Sequence, residues 1–134
     1  MTYKIPVFIL ALMTTSPLIA DSIKDAGRLL CVPGTVSHCV EGKACSYELP
    51  ESEGIPEFIE VDLKKKTLSA TKASGEDRTT PILSQARSNG YVFLQGVENG
   101  RTFSMVISES TGDLTFVVAA DGETASMFGA CTPD

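Results

Sequence analysis

The chain has 134 residues and carries 17 Asp and Glu against 11 Lys and Arg, so its formal net charge is −6. This acidic balance disfavours a nucleic-acid or anionic-membrane partner, because such polyanions repel a negatively charged protein. The length is that of one domain with its own core.

The first twenty residues have the pattern of a cleavable secretory signal. A single cation, Lys4, precedes a mainly apolar run that is shorter than the roughly 20 residues needed to span a bilayer. Small residues offer cleavage after Ala20 or after Ser22, and we favour Ala20, which removes Lys4 and no acid and leaves a formal charge of −7. We therefore expect residues 1–20 to be a signal peptide. Residues 21–134 are then a single periplasmic or secreted domain with no stable membrane anchor after cleavage.

Four cysteines, an even number in a chain expected to be exported, predict two disulfides. Loop-closure entropy does not separate the three pairings, because each combines one short loop with one long loop. Cys31 ends the first apolar segment and Cys131 ends the last, so we favour Cys31 with Cys131 and Cys39 with Cys45. The chain has no C-x-x-C pair and one histidine, so zinc is not expected, and neither is another cofactor.

From residue 57 onward, short apolar runs alternate with turn signals at about ten-residue spacing, which is typical of an antiparallel meander. A turn or short helix is expected within 22–30, and 33–56 is the least regular segment. The predicted strands cover 28–32, 44–49, 57–63, 67–71, 80–86, 91–97, 101–108, 114–119 and 124–131.

The strongest local signal is Asn99-Gly100, which lies between two alternating apolar runs. A type I′ hairpin turn needs two residues that tolerate positive φ, and Asn followed by Gly meets that need. In the strand after this turn, Phe103, Met105 and Ile107 are expected to form a buried row.

About eight short strands in an up-and-down order tend to curl and close, because closure removes exposed sheet edges. We therefore predict an all-β fold, a small antiparallel barrel of about eight strands that is stapled by disulfides. A two-sheet sandwich is the alternative architecture.

Few residues offer catalytic or binding chemistry. His38 has no nucleophile or orienting acid assigned to it by the sequence, and we expect an exposed loop histidine. The acidic stretch 48–57 and the cations 64–66 are expected to be solvated surface. Without a nucleophile elbow, phosphate loop or zinc-protease motif, the chain is not expected to be an enzyme.

Four phenylalanines recur on successive predicted strands: Phe93, Phe103, Phe116 and Phe128. Side chains in such positions either line a lipocalin-like cavity or fill the interior of a small barrel. We expect core packing, and keep a cavity as the alternative.

Two resemblances add to this description. Residues 94–101, 103–104 and 128–132 resemble small exported proteobacterial proteins of unassigned function, which implies a compartment and a shape. In size, export and disulfide closure the chain is also similar to periplasmic inhibitors of C-type lysozyme, small barrels that insert an S-G-x-x-Y loop into the enzyme's cleft. Ser74 and Gly75 match the start of that loop, and Arg78 stands in place of the aromatic residue. The resemblance implies that these three residues contact a partner.

Our leading hypothesis from the sequence is a non-enzymatic exported interaction module, an inhibitor being one form of it. Its rigid barrel would present loops to another exported or cell-envelope protein. The alternative is a carrier that holds a small apolar ligand inside the barrel.

Overall fold

A computed structural model describes residues 22–134. The predicted signal peptide, residues 1–20, lies outside the described residues. Three short 3₁₀ turns cover Ile23–Asp25, Pro50–Glu53 and Lys72–Ser74, and no helix in the described part is long and apolar enough to cross a membrane. The strands are β1 (Arg28–Val40), β2 (Ser46–Glu48), β3 (Ile59–Asp62), β4 (Thr67–Ala70), β5 (Thr79–Pro81), β6 (Ser84–Ser88), β7 (Tyr91–Glu98), β8 (Arg101–Ser108), β9 (Asp113–Ala120) and β10 (Glu123–Pro133).

All ten strands belong to one curled antiparallel sheet, which confirms the predicted all-β, disulfide-stapled class. The order is β5-β4-β3-β1-β10-β9-β8-β7-β6, and β2 pairs with β1 beyond the end of β3. The two strands at the ends of this order are consecutive in the chain. Between them, the Ile82 amide donates to the Lys66 carbonyl (2.8 Å) and the Leu83 amide donates to the Gln95 carbonyl (2.9 Å). The curl therefore brings the two ends of the sheet together at this two-residue bend.

The sequence-based strand boundaries are wrong at two places. β1 does not end at residue 32 but runs on to Val40, because the chain forms a bulge between Pro33 and Val36 and then continues to pair with β10. A Cβ on Gly34 would lie 2.9 Å from the Phe128 carbonyl oxygen, so the bulge requires glycine there. The strand expected over 80–86 is two strands, β5 and β6, because the bend at residues 82–83 changes the pairing partner from β4 to β7.

The core lies on the inner side of the curled sheet. In β7, β8 and β9 buried and exposed residues alternate, as expected for strands with one face in the core. The predicted buried row of Phe103, Met105 and Ile107 is confirmed, and Phe103 packs edge-on against Phe116 with ring centroids 6.4 Å apart. This interior is continuous with residues of the first strands, such as Leu29 and Val36.

The turn at Asn99-Gly100 has the predicted conformation. The φ angles are 50° and 76°, both positive as type I′ requires, and Glu98 pairs with Arg101 across the turn. Asn89-Gly90 repeats the arrangement between β6 and β7, with φ angles of 51° and 81°. These two turns set the register of three consecutive strands.

Both predicted disulfides are present, and none of the four cysteines is free. Cys31 and Cys131 are directly opposite in the pairing of β1 with β10, so their bond ties the first long strand to the last. Cys39–Cys45 closes the short connection from β1 to β2. Two such bonds indicate an oxidising compartment outside the cytoplasm.

Candidate functional site

The Ser-Gly loop expected to contact a partner lies at an exposed 3₁₀ turn. The Ser74 hydroxyl donates to the Thr71 carbonyl oxygen at 2.6 Å and accepts from the Glu76 amide at 3.3 Å. Gly75 ends the turn with a φ of 73°. The hydroxyl therefore serves the turn itself, and its role as a partner contact stays a prediction.

Arg78 does not accompany Ser74 at the tip of this loop. Its guanidinium donates two hydrogen bonds to the Glu98 carboxylate, one of them 2.7 Å from Nε to Oε1, and a third to the Gly54 carbonyl oxygen at 2.6 Å. The hydroxyl of Thr80 adds a donor to Glu98 Oε1 at 2.6 Å. The hydrogen bonds from Arg78 contribute most to lowering the pKa of Glu98, and the one from Thr80 lowers it further. The hydrogen bonds to Glu98 in turn raise the pKa of Arg78. Arg78 thus joins the end of β7 to the β4–β5 region.

His38 was expected in an exposed loop, and this is wrong, because the residue lies in β1 with a side chain 21% exposed. Its Nδ1 is 3.1 Å from Glu53 Oε1 and its Nε2 is 3.3 Å from Glu123 Oε2. Both ring nitrogens donate only when the imidazole is protonated. Arg101 also reaches this corner and donates to the Glu53 carbonyl oxygen at 3.2 Å. The contacts of His38 and Arg101 with Glu53 hold the 50–53 turn against the sheet. The polar partners of the His38 ring are thus two carboxylates and not a nucleophile.

The barrel interior is filled by side chains. The inner cavity, between the segment around Ile55 and the Phe103 and Phe116 rings, has a volume of about 60 Å³. Phe93 and Phe128 were expected in the interior with these rings, and this is wrong, because both point outward from their strands. In residues 22–134 no group of three His, Cys, Asp or Glu side chains is placed to hold a metal ion.

The opposite side of the sheet has an unusual surface, which we call the outer face: the outward-pointing residues of β6 to β10. Cross-strand pairing places them on one side of the sheet. Asp113 is the one charged residue on this face, although the whole chain contains 28 charged residues (17 acidic and 11 basic). The outer face consists of Ser84, Ala86, Ser88, Tyr91, Phe93, Gln95, Val97, Thr102, Ser104, Val106, Ser108, Asp113, Thr115, Val117, Ala119, Thr124, Ser126, Phe128, Ala130 and Thr132.

Apolar side chains on the outer face are exposed to solvent. Phe128 is 77% exposed on β10, and Val97 on β7 is 49% exposed. Leu83, at the bend before β6, is 68% exposed and borders the face. An open trough of about 520 Å³ is lined by Leu83 together with residues such as Ser104 and Val117. The face therefore combines protruding apolar groups with a depression.

Sequence reasoning assigned these side chains to strands but did not recognise the outer face. A signal was present: in 91–97 both alternating sets are largely apolar, whereas an antiparallel strand with one solvated face normally has polar residues on that face. The uncharged rows on neighbouring strands become visible only when the register places them side by side. A scan against protein-family models, a search of the curated proteins and a search of the solved structures each found no match to this chain.

Proposed function

We propose that the chain is an exported, non-enzymatic interaction module that binds a protein partner through its outer face. The observation that carries this proposal is the near absence of charge on the outward side of five adjacent strands in an acidic chain. Charged residues are depleted at the centres of protein interfaces and aromatic residues are enriched there. Phe93, Phe128 and Tyr91 supply the aromatic part.

The outer face is large enough for a specific contact. Five strands spaced about 4.8 Å apart, each with about eight residues rising roughly 3.4 Å, cover roughly 600 Å². A standard interface buries about 800 Å² on each partner, so the face and its border supply most of one side. The face mixes exposed apolar side chains with uncharged polar ones, and exposed apolar groups clustered on one surface often mark interaction sites.

The interior gives less support to the carrier hypothesis. Sites for small molecules usually have volumes of roughly 300–1,000 Å³, whereas the inner cavity has about 60 Å³. The rings of Phe103 and Phe116 line this small cavity. The filled interior favours binding at the surface.

The two described side chains considered for catalysis, His38 and Ser74, are both engaged in other contacts. His38 is held between Glu53 and Glu123, and the Ser74 hydroxyl is engaged in its own turn. General base catalysis needs a base within hydrogen-bond reach of the group that it deprotonates. These contacts support the assignment as a binding protein.

Site-specific photo-crosslinking in the producing cells tests the proposal. The crosslinker is introduced by Gln95→p-benzoylphenylalanine on the outer face and, as the control, by Lys65→p-benzoylphenylalanine in the exposed turn between β3 and β4. We expect a defined protein adduct from position 95 and none from position 65. The adduct should disappear when Val117→Asp places a charge in the same row of the face, two strands from the crosslinker across Ser104, and should remain with Val117→Thr.

Equal adducts from both positions would show that the contact is not on the outer face. An adduct from position 95 that is unchanged by Val117→Asp would contradict the proposal as well. Absence of any adduct from position 95 in cells that export the folded protein would reject the outer face as a binding surface.

A further inference from the structure

We infer that residues 50–56, which we call the strap, cover the inner cavity in a pH-sensitive manner, with His38 as the side chain that binds the proton. The inference goes beyond the proposed function, because neither the strap nor His38 belongs to the outer face. It is carried by the contact of both imidazole nitrogens with carboxylates and by the position of Ile55 at the inner cavity.

The strap is attached to the sheet through side chains. It begins with the Pro50–Glu53 turn and belongs to no strand. His38 contacts the Glu53 carboxylate, while Arg101 and Arg78 donate to backbone carbonyl oxygens of the strap. An arginine side chain stays charged in proteins, whereas histidine ordinarily changes its charge between about pH 5 and pH 8. Of these three contacts, the one from His38 is therefore the one that responds to pH in this range.

The two contacts of the His38 ring are both hydrogen bonds only when the ring is protonated. Nδ1 is 3.1 Å from Glu53 Oε1, and Nε2 is 3.3 Å from Glu123 Oε2. A neutral imidazole has one N–H donor, and its other nitrogen is an acceptor, as are the oxygens of an ionised carboxylate. The neutral ring therefore leaves one contact with two acceptors facing each other. Protonation supplies the second donor and makes both hydrogen bonds charge-assisted.

The surroundings of the ring are mainly acidic. The charged groups on this side of the sheet are three carboxylates and one guanidinium: Glu53 on the strap, Glu123 on β10, Glu48 on β2 and Arg101 on β8. Ser46, directly opposite His38 on β2, is uncharged, and so are the β9 residues at this corner. A proton on His38 thus places a positive charge among carboxylates and draws the strap and β10 towards β1.

Ile55 connects this contact to the interior. Its side chain is 5% exposed, follows Glu53 by two positions, and lines both the inner cavity and the small depression beside His38. The opposite wall of the inner cavity includes the Phe103 and Phe116 rings. A strap that loosens at Glu53 withdraws Ile55 and opens the inner cavity to solvent. The strap is therefore closed when His38 is protonated and looser when the ring is neutral.

Solvent paramagnetic relaxation of methyl groups tests the inference on the purified, oxidised protein, with an uncharged gadolinium chelate as the probe. Spectra are compared at about pH 5.5 and about pH 8, which bracket most of the range in which histidine ordinarily titrates. We expect the relaxation enhancement of the Ile55 methyl groups to be at least about twofold larger at the higher pH, because the population of the open strap rises. The methyl groups of Ile107, which is fully buried on β8, should show no change.

Two variants separate the role of His38 from a general effect of pH. His38→Gln removes the titrating ring, so Ile55 should give the same enhancement at both pH values. Glu123→Gln provides an amide that can donate to the unprotonated Nε2 while Nδ1–H donates to Glu53, so Ile55 should stay protected at the higher pH. Asp121→Asn removes a carboxylate in the neighbouring β9–β10 turn and is the matched control, which should behave as the parent does.

Equal enhancements at the two pH values in the parent would overturn the inference, as would a pH dependence that His38→Gln leaves intact. Circular dichroism shows whether each variant is folded. If His38→Gln does not fold, Glu123→Gln decides alone, because the Glu123 side chain is 46% exposed. The inference would then be rejected by an Ile55 that becomes as exposed in Glu123→Gln at the higher pH as it does in the parent. None of these outcomes concerns the outer face, so the proposed function is tested separately.

Discussion

At the scale of single residues, two glycines with the same backbone conformation have different surroundings. Gly100 and Gly112 have φ angles of 76° and 77°, a region that side chains with a Cβ disfavour. A Cβ on Gly100 would meet nothing within 4 Å, whereas a Cβ on Gly112 would collide with the backbone carbonyl of Cys131. Substitutions at these two positions therefore distinguish the cost of backbone strain alone from the cost of strain together with a steric collision.

We expect Gly100→Ala to lower the free energy of unfolding by about 1 kcal/mol, the usual cost of a left-handed residue with a Cβ. Gly112→Ala should cost at least about twice as much, because relieving the collision displaces the β10 backbone as well. Urea titration of both variants measures the difference. Equal losses would mean that the chain around Gly112 is more open than the structure shows.

The Arg78–Glu98 pair makes stability depend on pH. The pKa of Glu98 is lowered in the folded protein, first by the hydrogen bonds from Arg78. A carboxyl whose folded pKa is lower than its unfolded value stabilises the fold above the unfolded pKa, and this stabilisation is lost as pH falls towards the folded value. We therefore expect this stabilisation to be lost mainly at pH values below the ordinary glutamate pKa of 4.5.

Glu98→Gln removes this dependence and leaves Asp62, whose pKa is also lowered, unchanged. We expect the parent to lose more stability than Glu98→Gln between about pH 5 and pH 3, the range in which glutamate ordinarily titrates. Urea titrations at several pH values give both curves. Parallel curves would show that the pair has the same proton affinity in the folded and unfolded chains.

At the scale of elements, the two disulfides close loops of very different length. Cys31 and Cys131 are separated by 100 residues, and Cys39 and Cys45 by 6. In the chain-entropy model, closing the long loop stabilises the fold by about 4.7 kcal/mol and closing the short loop by about 2 kcal/mol. The long-range bond should therefore dominate.

Replacing Cys31 and Cys131 together by serine should lower the free energy of unfolding about twice as much as replacing Cys39 and Cys45, by the same chain-entropy model. Burial of the first pair adds to the loss, since both cysteines lie in the core. Denaturation of the two double variants under oxidising conditions compares them. A larger loss from the short loop would mean that the β1–β2 connection contributes more to stability than chain entropy implies.

Most of the strands were predictable from the sequence because their signals are local. The Asn99-Gly100 turn fixes a hairpin through backbone conformation, and the alternation of Phe103, Met105 and Ile107 identifies the buried side. The continuation of β1 beyond residue 32 was missed because Pro33 and Gly34 follow it, and proline and glycine usually interrupt a strand. Here β10 stays paired with β1 on both sides of the bulge between Pro33 and Val36, and only tertiary contacts reveal this.

The candidate site was predictable only in part, because its chemistry depends on contacts between distant segments. His38 meets Glu123 across 85 positions of the chain, and Arg78 meets Glu98 across 20. Ser74 and Arg78 are close in sequence, yet their side chains serve different parts of the fold. The outer face depends on the register of five strands, which alternation within one strand does not determine.

At the scale of the whole molecule, charge is distributed unevenly over the surface of the described residues. The acidic chain keeps an almost uncharged surface on β6 to β10, and its interior is filled. Conversely, the ion pairs of Arg28 with Glu60 and Asp134 lie at the β1–β3 side. The described part of the chain therefore has one side with ion pairs and one side that is almost uncharged.

Covalent footprinting with a carbene-generating label is the most direct test of the claim that the outer face is covered in the cell. The label is applied to intact producing cells and to the purified protein at about 1 μM, where weak complexes are dissociated. We predict that Phe93 and Phe128 are labelled much less in cells, while Phe58, outside the face, is labelled equally in both. Equal labelling of Phe93 and Phe128 in the two samples would contradict the account.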